Sequence, residues 1–219
     1  MPWRVILVND DLNGLVRNDV IPSLAPEPDR NLFPEGAKTP WIKPGRSTWT
    51  WWDRGNVREE DQYAFVDMAS EFGWEDHLVD EGWKKWGKTV PESMDKVAQL
   101  ASYAAGKQVG IWVWVRWSDV NNPANDWESM RSFFRSLAKT GIKGIKIDFM
   151  DSASRERLAF YDAVAENLAK NKLMVNFHGA NTPTGEERSW PHEMSREGIY
   201  GGEQNIWAAI GGQHYCALP

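Results

Sequence analysis

The first residue in this sequence that could do chemistry is a carboxylate ending an apolar run. Gly144-Ile145-Lys146-Ile147-Asp148 reads as a strand covered on both faces, where an acid is costly to bury unless it is partnered. Such an Asp can cap the following helix, or it can act as a nucleophile. The second acid is Glu203, which follows Gly201 and Gly202, where absent side chains let a ligand or another strand come close. A solvated loop acid is the plainer reading of Glu203. Two carboxyls facing one cavity among aromatic neighbours can split a glycosidic bond, one as acid and one as nucleophile. Asp148 and Glu203 are therefore the expected catalytic pair. A separation of about 5 to 5.5 Å would mean retention, and more than about 6.5 Å inversion. Glu197 precedes Glu203 by six residues, so in one continuous strand both would face the same way. Two convergent acids suit a hard cation such as calcium.

These residues need a scaffold, and the sequence supplies an alternating one. Apolar residues recur at helical spacing at Phe65, Ala69 and Phe72; at Met94, Val97, Ala101 and Ala104; at Met130, Phe133, Phe134 and Leu137; and at Leu158, Tyr161, Ala165 and Leu168. Gly73, Gly106, Gly141 and Asn171 close these helices, each able to take the left-handed position after the last turn. Pro91 suits the first turn of the second helix, and Asn125 or Asp126 can cap the third. Strands are expected over 47–52, 75–79, 110–115, 144–148, 172–177 and 199–203. Their ends recur every 26 to 35 residues, the rhythm of an α/β fold of the (β/α)8 barrel type. Six of eight strands are present, because only 16 residues follow Glu203 and a closed barrel takes about 250. Residues 47–219 are thus expected to be a partial catalytic barrel. Residues 1–46, with an expected strand over 3–8 and six prolines between 22 and 44, read as a lead-in strand and linker.

In such barrels the chemistry sits at the C-terminal strand ends. The polar residues there are Asp53, Asp80, Glu81, Arg116, Asp119, Asp148, Asn176, His178 and Glu203. Asp80, Arg116 and His178 are candidate hydroxyl binders. Trp114, Trp117 and Trp190 are candidate sugar-stacking faces, and a core role suits each equally well.

Composition narrows the partners. Of 219 residues 42% are hydrophobic and 26% charged, with a net charge of −6. The 25 Lys and Arg are scattered among 31 acids, which argues against a phosphate-tracking surface, so nucleic acid is not an expected partner. The longest apolar run, 109–115, falls far short of the roughly 18 residues of a membrane span. One cysteine, Cys216, forms no internal disulfide and no Cys-rich zinc site. The start, Met1-Pro2-Trp3-Arg4, lacks a basic stretch followed by an apolar one, so any export signal is expected upstream. Fourteen Trp against five Tyr is the outlying feature, and flat indoles serve both a core and the apolar faces of sugars.

Several segments together carry a recognisable pattern. Trp41-Ile42-Lys43-Pro44-Gly45-Arg46 with Trp49 to Trp52, Leu78-Val79-Asp80-Glu81-Gly82-Trp83 and Lys146-Ile147-Asp148-Phe149-Met150-Asp151 resemble the catalytic barrel of glycoside hydrolase family 97. His178-Gly179-Ala180-Asn181-Thr182-Pro183-Thr184-Gly185, Arg188-Ser189-Trp190-Pro191 and Met194-Ser195-Arg196-Glu197-Gly198, running into Gly202-Glu203, resemble the family's signature in order and spacing. The resemblance implies a calcium-dependent, exo-acting α-glycosidase acting on an oligosaccharide or other α-glycoside. It also implies a β-sandwich domain before the barrel, a small β domain after it, and a periplasmic or secreted protein. The family's inverting branch carries a glutamate directly after the His of the strand-five motif, where this sequence has Gly179. The resemblance therefore implies the retaining branch, which includes α-galactosidases: Asp148 as nucleophile, Glu203 as acid/base, and Glu197 with Glu203 at the calcium. An α-glucosidase of the same family, an inactive fragment, and a sugar-binding module without turnover are the alternatives.

Two motifs are decoys. Gly82 to Thr89 fits G-x-x-x-x-G-K-[ST] letter for letter, yet it carries two indoles where amides would have to wrap a phosphate. His192-Glu193 opens an H-E-x-x-H pattern, but Arg196 stands where the second histidine belongs. His77 and His214 have no ligand-spaced partner, and the cluster at 58–61 reads as the acidic first turn of a helix.

Overall fold

The computed structural model describes residues 4–55, 57–199 and 201. Six parallel strands form one sheet in sequence order, β1 (Ser47–Trp49), β2 (Asp76–Val79), β3 (Gly110–Arg116), β4 (Gly144–Asp148), β5 (Met174–Phe177) and β6 (Glu193–Arg196). Because each strand pairs with the next and helices cross between them, the sheet is an incomplete (β/α)8 barrel. Chain order also introduces α1 (Leu12–Val16), α2 (Val20–Leu24), α3 (Trp51–Arg54), α4 (Glu59–Glu71), α5 (Val90–Ala105), α6 (Trp117–Val120), α7 (Ala124–Ala138), α8 (Arg155–Lys170) and α9 (Glu186–Ser189).

The four long helices stand where apolar spacing predicts them, and their apolar stripes cover the outer face of the sheet. Val66, Ala69, Val97, Leu100, Met130, Phe134, Val164 and Leu168 pack with Ile111, Val113, Val115, Ile145, Ile147 and Val175 in one core. Leu158 and Phe72, placed on those stripes by spacing, are exposed instead. Thr89 caps α5 by accepting the Glu92 amide hydrogen, with Pro91 in the first turn. The chain turns left-handed at Gly73 and Gly141 as expected, but after α5 and α8 that position falls on Gln108 and Lys172 rather than Gly106 and Asn171. Neither Asn125 nor Asp126 caps α7. Both are left-handed along with Trp127, and they kink the start of that helix.

Two further expectations are corrected. Residues 4–8 form no strand, and the lead-in instead carries α1, α2 and a short 3₁₀ turn at Gly36–Lys38. It is also docked on the barrel. Phe33 is buried against Trp41, Trp190 and His192, and the Arg188 guanidinium donates to the Ser23 carbonyl at 2.7 Å. Of the expected strand 199–203, residues 200, 202 and 203 lie outside the described residues; the strand that pairs with β5 is Glu193–Arg196, earlier in the chain, with a register shift at Val175/Asn176. Its charged sequence hid it. Glu193 and Arg196 are buried because they neutralise one another, with Arg196 Nη2 donating to Glu193 Oε2 at 3.1 Å. Residue 199 is a bend, and Glu203 lies outside the described residues.

Candidate active site

Period-two alternation along β4 turns Ile145 and Ile147 toward the helices and Lys146 and Asp148 to the opposite, barrel-interior face. Register then sets their neighbours: Lys146 stands beside Trp114 on β3 and Asn176 on β5, and Asp148 beside Arg116. A cavity of about 360 Å³ opens at the C-terminal strand ends, lined by residues that include Trp49, Trp51, Asp80, Glu81, Trp114, Lys146, Asp148, Phe149, Asp151, His178 and Glu197.

Every hydrogen bond to Asp148 favours its charged form. Oδ1 accepts the Phe149 amide hydrogen at 2.7 Å and faces His178 Nδ1 at 3.1 Å; Oδ2 accepts the Trp114 indole N–H at 2.8 Å, with Lys146 Nζ at 3.6 Å. Burial pushes this carboxyl up, but His178, the Lys146 charge and Trp114 together outweigh it and hold the pKa at about 2. Asp148 is thus ionised at neutral pH, the state a carboxylate nucleophile requires.

Lys146 binds a second acid on the same floor. Its ammonium lies 2.8 Å from Asp80 Oδ2 and 4.9 Å from the centre of the Trp49 ring, while the Trp49 indole N–H donates to that same oxygen at 2.9 Å. Asp80 Oδ1 accepts the Glu81 amide hydrogen at 2.7 Å. Lys146 and Asp80 are both under 5% exposed, so each offsets the cost of burying the other's charge at the floor of the cavity.

Glu197 is the first residue past β6 and accepts the Gly179 N–H at 3.1 Å. His178 Nδ1 lies 3.1 Å from Glu197 Oε2 as well as from Asp148, and so links the two carboxylates. Glu197 therefore holds the strand-end position that the sequence reading gave to Glu203.

With a strand-end carboxylate held ionised in an aromatic-walled cavity on the C-terminal face, the comparison with known families is direct. Residues 41–199 match the model of glycoside hydrolase 97. The chain belongs to glycoside hydrolase family 97. It is 35% identical over its whole length to a probable retaining alpha-galactosidase of Streptomyces bingchenggensis, covering 34% of that protein. It is 32% identical over 95% of its length to a retaining alpha-galactosidase of Bacteroides thetaiotaomicron, covering 31% of that protein. The chain thus spans about a third of the curated relatives it matches. A solved beta-arabinopyranosidase is 28% identical with a TM-score of 0.63, covering 75% of this chain and 27% of that one. A family 97 enzyme from Pseudoalteromonas sp. strain K8, solved with acarbose, is 22% identical with a TM-score of 0.69, covering 88% of this chain and 34% of that one, and it supports the fold.

Within this family 97 barrel the candidate residues separate. Asp80, Trp114, Asp148, His178 and Glu197 meet at the cavity. Trp190 does not. It lies with Phe33, Trp41 and His192 where the lead-in docks. Arg116 does not line the cavity; its guanidinium lies 4.6 Å from the centre of the Phe149 ring. Trp117 packs on Phe160 and Arg157, and Asp119 pairs with Lys84. Asn176 donates to Ser195, lower in the barrel. Trp114 is only 4% exposed and offers its N–H rather than a stacking face.

Sequence reasoning missed Lys146, Trp49, Trp51, Phe149 and Asp151. A signal for Lys146 was present, since a lysine inside a strand buried on both faces, two residues before an acid, must share that acid's surroundings. The two decoy motifs are structural. In the glycine-lysine loop the Gly87 and Lys88 amides already donate to Ser93 Oγ and Glu92 Oε2, and the Trp83 and Trp86 indoles donate to the Trp114 and Val57 carbonyls. His192 is fully buried against aromatic rings, and His77 is buried between Thr48 and Gln62.

Among the described residues no group of three or more His, Cys, Asp or Glu is arranged to hold a metal ion. Calcium takes six to eight oxygens, so the carboxylates among the described residues do not make a calcium site by themselves.

Proposed function

We propose that the full-length protein is a retaining, exo-acting α-galactosidase, with Asp148 as nucleophile and Glu203 as acid/base. The observation that carries this reading is the ionised Asp148 at the end of β4, held by the Phe149 and Trp114 N–H groups beside Lys146 and His178. The relatives' names support both the stereochemistry and the sugar. An Asp148 oxygen attacks the anomeric carbon as the bond to the aglycone oxygen breaks. The departing oxygen takes the bonding electrons and a proton from Glu203. Water then gives a proton to Glu203 and attacks the same carbon, releasing Asp148 with net retention. Asp80 and Lys146 are suited to grip sugar hydroxyls on the cavity floor, one accepting and the other donating. His178 orients Asp148 through Nδ1, with Glu197 Oε2 close to the same nitrogen. Calcium belongs to this reading, with Glu197 and Glu203 as its carboxylate ligands, as do flanking β domains and export from the cytoplasm.

An α-glucoside remains the second substrate within the family. A β-L-arabinopyranoside is a third, because it shares the ring configuration of an α-D-galactoside and lacks only the exocyclic carbon; a solved relative bears that activity in its name. The test is hydrolysis of the three p-nitrophenyl glycosides, with and without calcium, by a polypeptide spanning the relatives' full length, with Asp148→Ala as control and the product anomer read by NMR. Galactoside turnover with retention, lost in the control, is expected. Inversion, or turnover that survives Asp148→Ala, would overturn the assignment. Silence on all three sugars would return the protein to a binding role.

A further inference from the structure

Trp114 was a candidate for stacking on a sugar, but its surroundings fix it for another task. The indole is only 4% exposed, and its N–H points at Asp148 Oδ2 from 2.8 Å across the β3–β4 pair. Its backbone is fixed as well. The fully buried Trp83 donates its own N–H to the Trp114 carbonyl at 2.7 Å. On the cavity side the ring meets Phe149 edge to face, with centroids 6.2 Å apart. Among the described residues the two Asp148 oxygens are thus held differently: Oδ1 by the amide just after β4 and by His178 after β5, Oδ2 by the indole from β3, with Lys146 farther away. Without the indole N–H, the carboxylate could rotate about its Cβ–Cγ bond, and misplacing a reacting atom by about 1 Å can cost on the order of 100-fold in rate.

We infer that Trp114 is a positioning residue for the nucleophile, setting the plane of the Asp148 carboxylate through its indole N–H rather than binding sugar through its ring. This rests on the retaining reading above. It predicts a loss in the bond-forming step with sugar affinity unchanged, because the shielded ring contributes little surface to a ligand.

The test is covalent trapping in the full-length enzyme with a 5-fluoro galactosyl fluoride. In that reaction an Asp148 oxygen bonds to the anomeric carbon while fluoride leaves with the bonding electrons, so no acid catalyst is needed. Two variants are compared with wild type: Trp114→Phe, and replacement of Trp114 by benzothienylalanine, the isostere with sulfur in place of N–H. The second preserves packing and decides the matter if the first does not fold. The trapping rate constant is expected to fall about 10- to 100-fold, the loss of one hydrogen bond to a charged group. Label should still reach one per chain at Asp148, and the Kd of a galactose-like iminosugar should stay within about twofold. An unchanged trapping rate in the isostere variant would overturn the inference. A parallel loss of rate and iminosugar affinity would also overturn it, in favour of a stacking role. Wild type that takes no label at Asp148 would sink the retaining reading itself.

Discussion

Lys146 and Asp148 stand two residues apart on β4, their charged groups 3.6 Å from one another on the interior face of the sheet, with Asp80 taking the same ammonium at 2.8 Å from β2. One cation serves two buried acids. The arrangement is stable only as a set, because a carboxylate left alone in this floor keeps its desolvation cost and loses its Coulomb partner.

Replacing Lys146 by Met keeps the stem and removes the charge. The variant is expected to lose about 3 to 5 kcal/mol of barrel stability, the usual cost of stranding a buried acid, measured as a shift in the urea midpoint. Adding Asp80→Asn should recover at least about 1 kcal/mol, since residues in one network are coupled. Simple additivity of the two losses would show that the ammonium does not join the acids energetically.

Acid should weaken the fold through its buried histidines. Burial lowers both His77 and His192 to about 4. The unfolded chain, titrating near 6.5, therefore binds more protons between pH 6.5 and 4, and stability falls as pH drops through that window. Asp76, which burial raises to about 6, works in the opposite direction. His192 isolates the effect. It is fully buried among Phe33, Trp41 and Trp190, and it stacks on Phe33 with centroids 5.3 Å apart. His192→Phe should gain about 2 kcal/mol over wild type on going from pH 7 to 4.5. Urea midpoints that run in parallel at the two pH values would refute this.

Gly179 holds a left-handed φ of 54°, and a Cβ there would stand 3.3 Å from Asp151 Oδ1 and 3.4 Å from the Phe149 Cα. Any side chain is thus strained by conformation and crowded by the segment after Asp148. Gly179→Ala is expected to cost about 1 to 2 kcal/mol and to lower kcat by displacing Phe149 and Asp151. A thermal midpoint and kcat equal to wild type would contradict it.

Chelation tests the proposed cation. EDTA should abolish galactoside turnover and added calcium restore it, and Glu197→Gln should raise the calcium concentration for half-maximal activity at least about tenfold, in line with the loss of a charged ligand. Full activity after exhaustive chelation would remove calcium from the reading.

The sequence alone determined what lies within a few residues. Helical spacing placed α4, α5, α7 and α8, Pro91 stands in the first turn of α5 as expected, and the strand ending in Asp148 located the nucleophile candidate at a strand end. These depend on backbone periodicity and capping, which act locally. The tertiary structure decided which distant residues meet. Asp80 reaches Lys146 from 66 positions away, and Trp114 reaches Asp148 from 34, because parallel pairing and barrel curvature bring β2, β3 and β4 side by side; no local spacing encodes that. Burial decided the rest. The Glu193–Arg196 pair let a charged segment become β6 where apolarity pointed to 199–203, and docking of the lead-in drew Trp190 into the Phe33 cluster and away from the cavity. A charge or an indole has one meaning exposed and another once its partner is fixed, and only the folded chain fixes the partner.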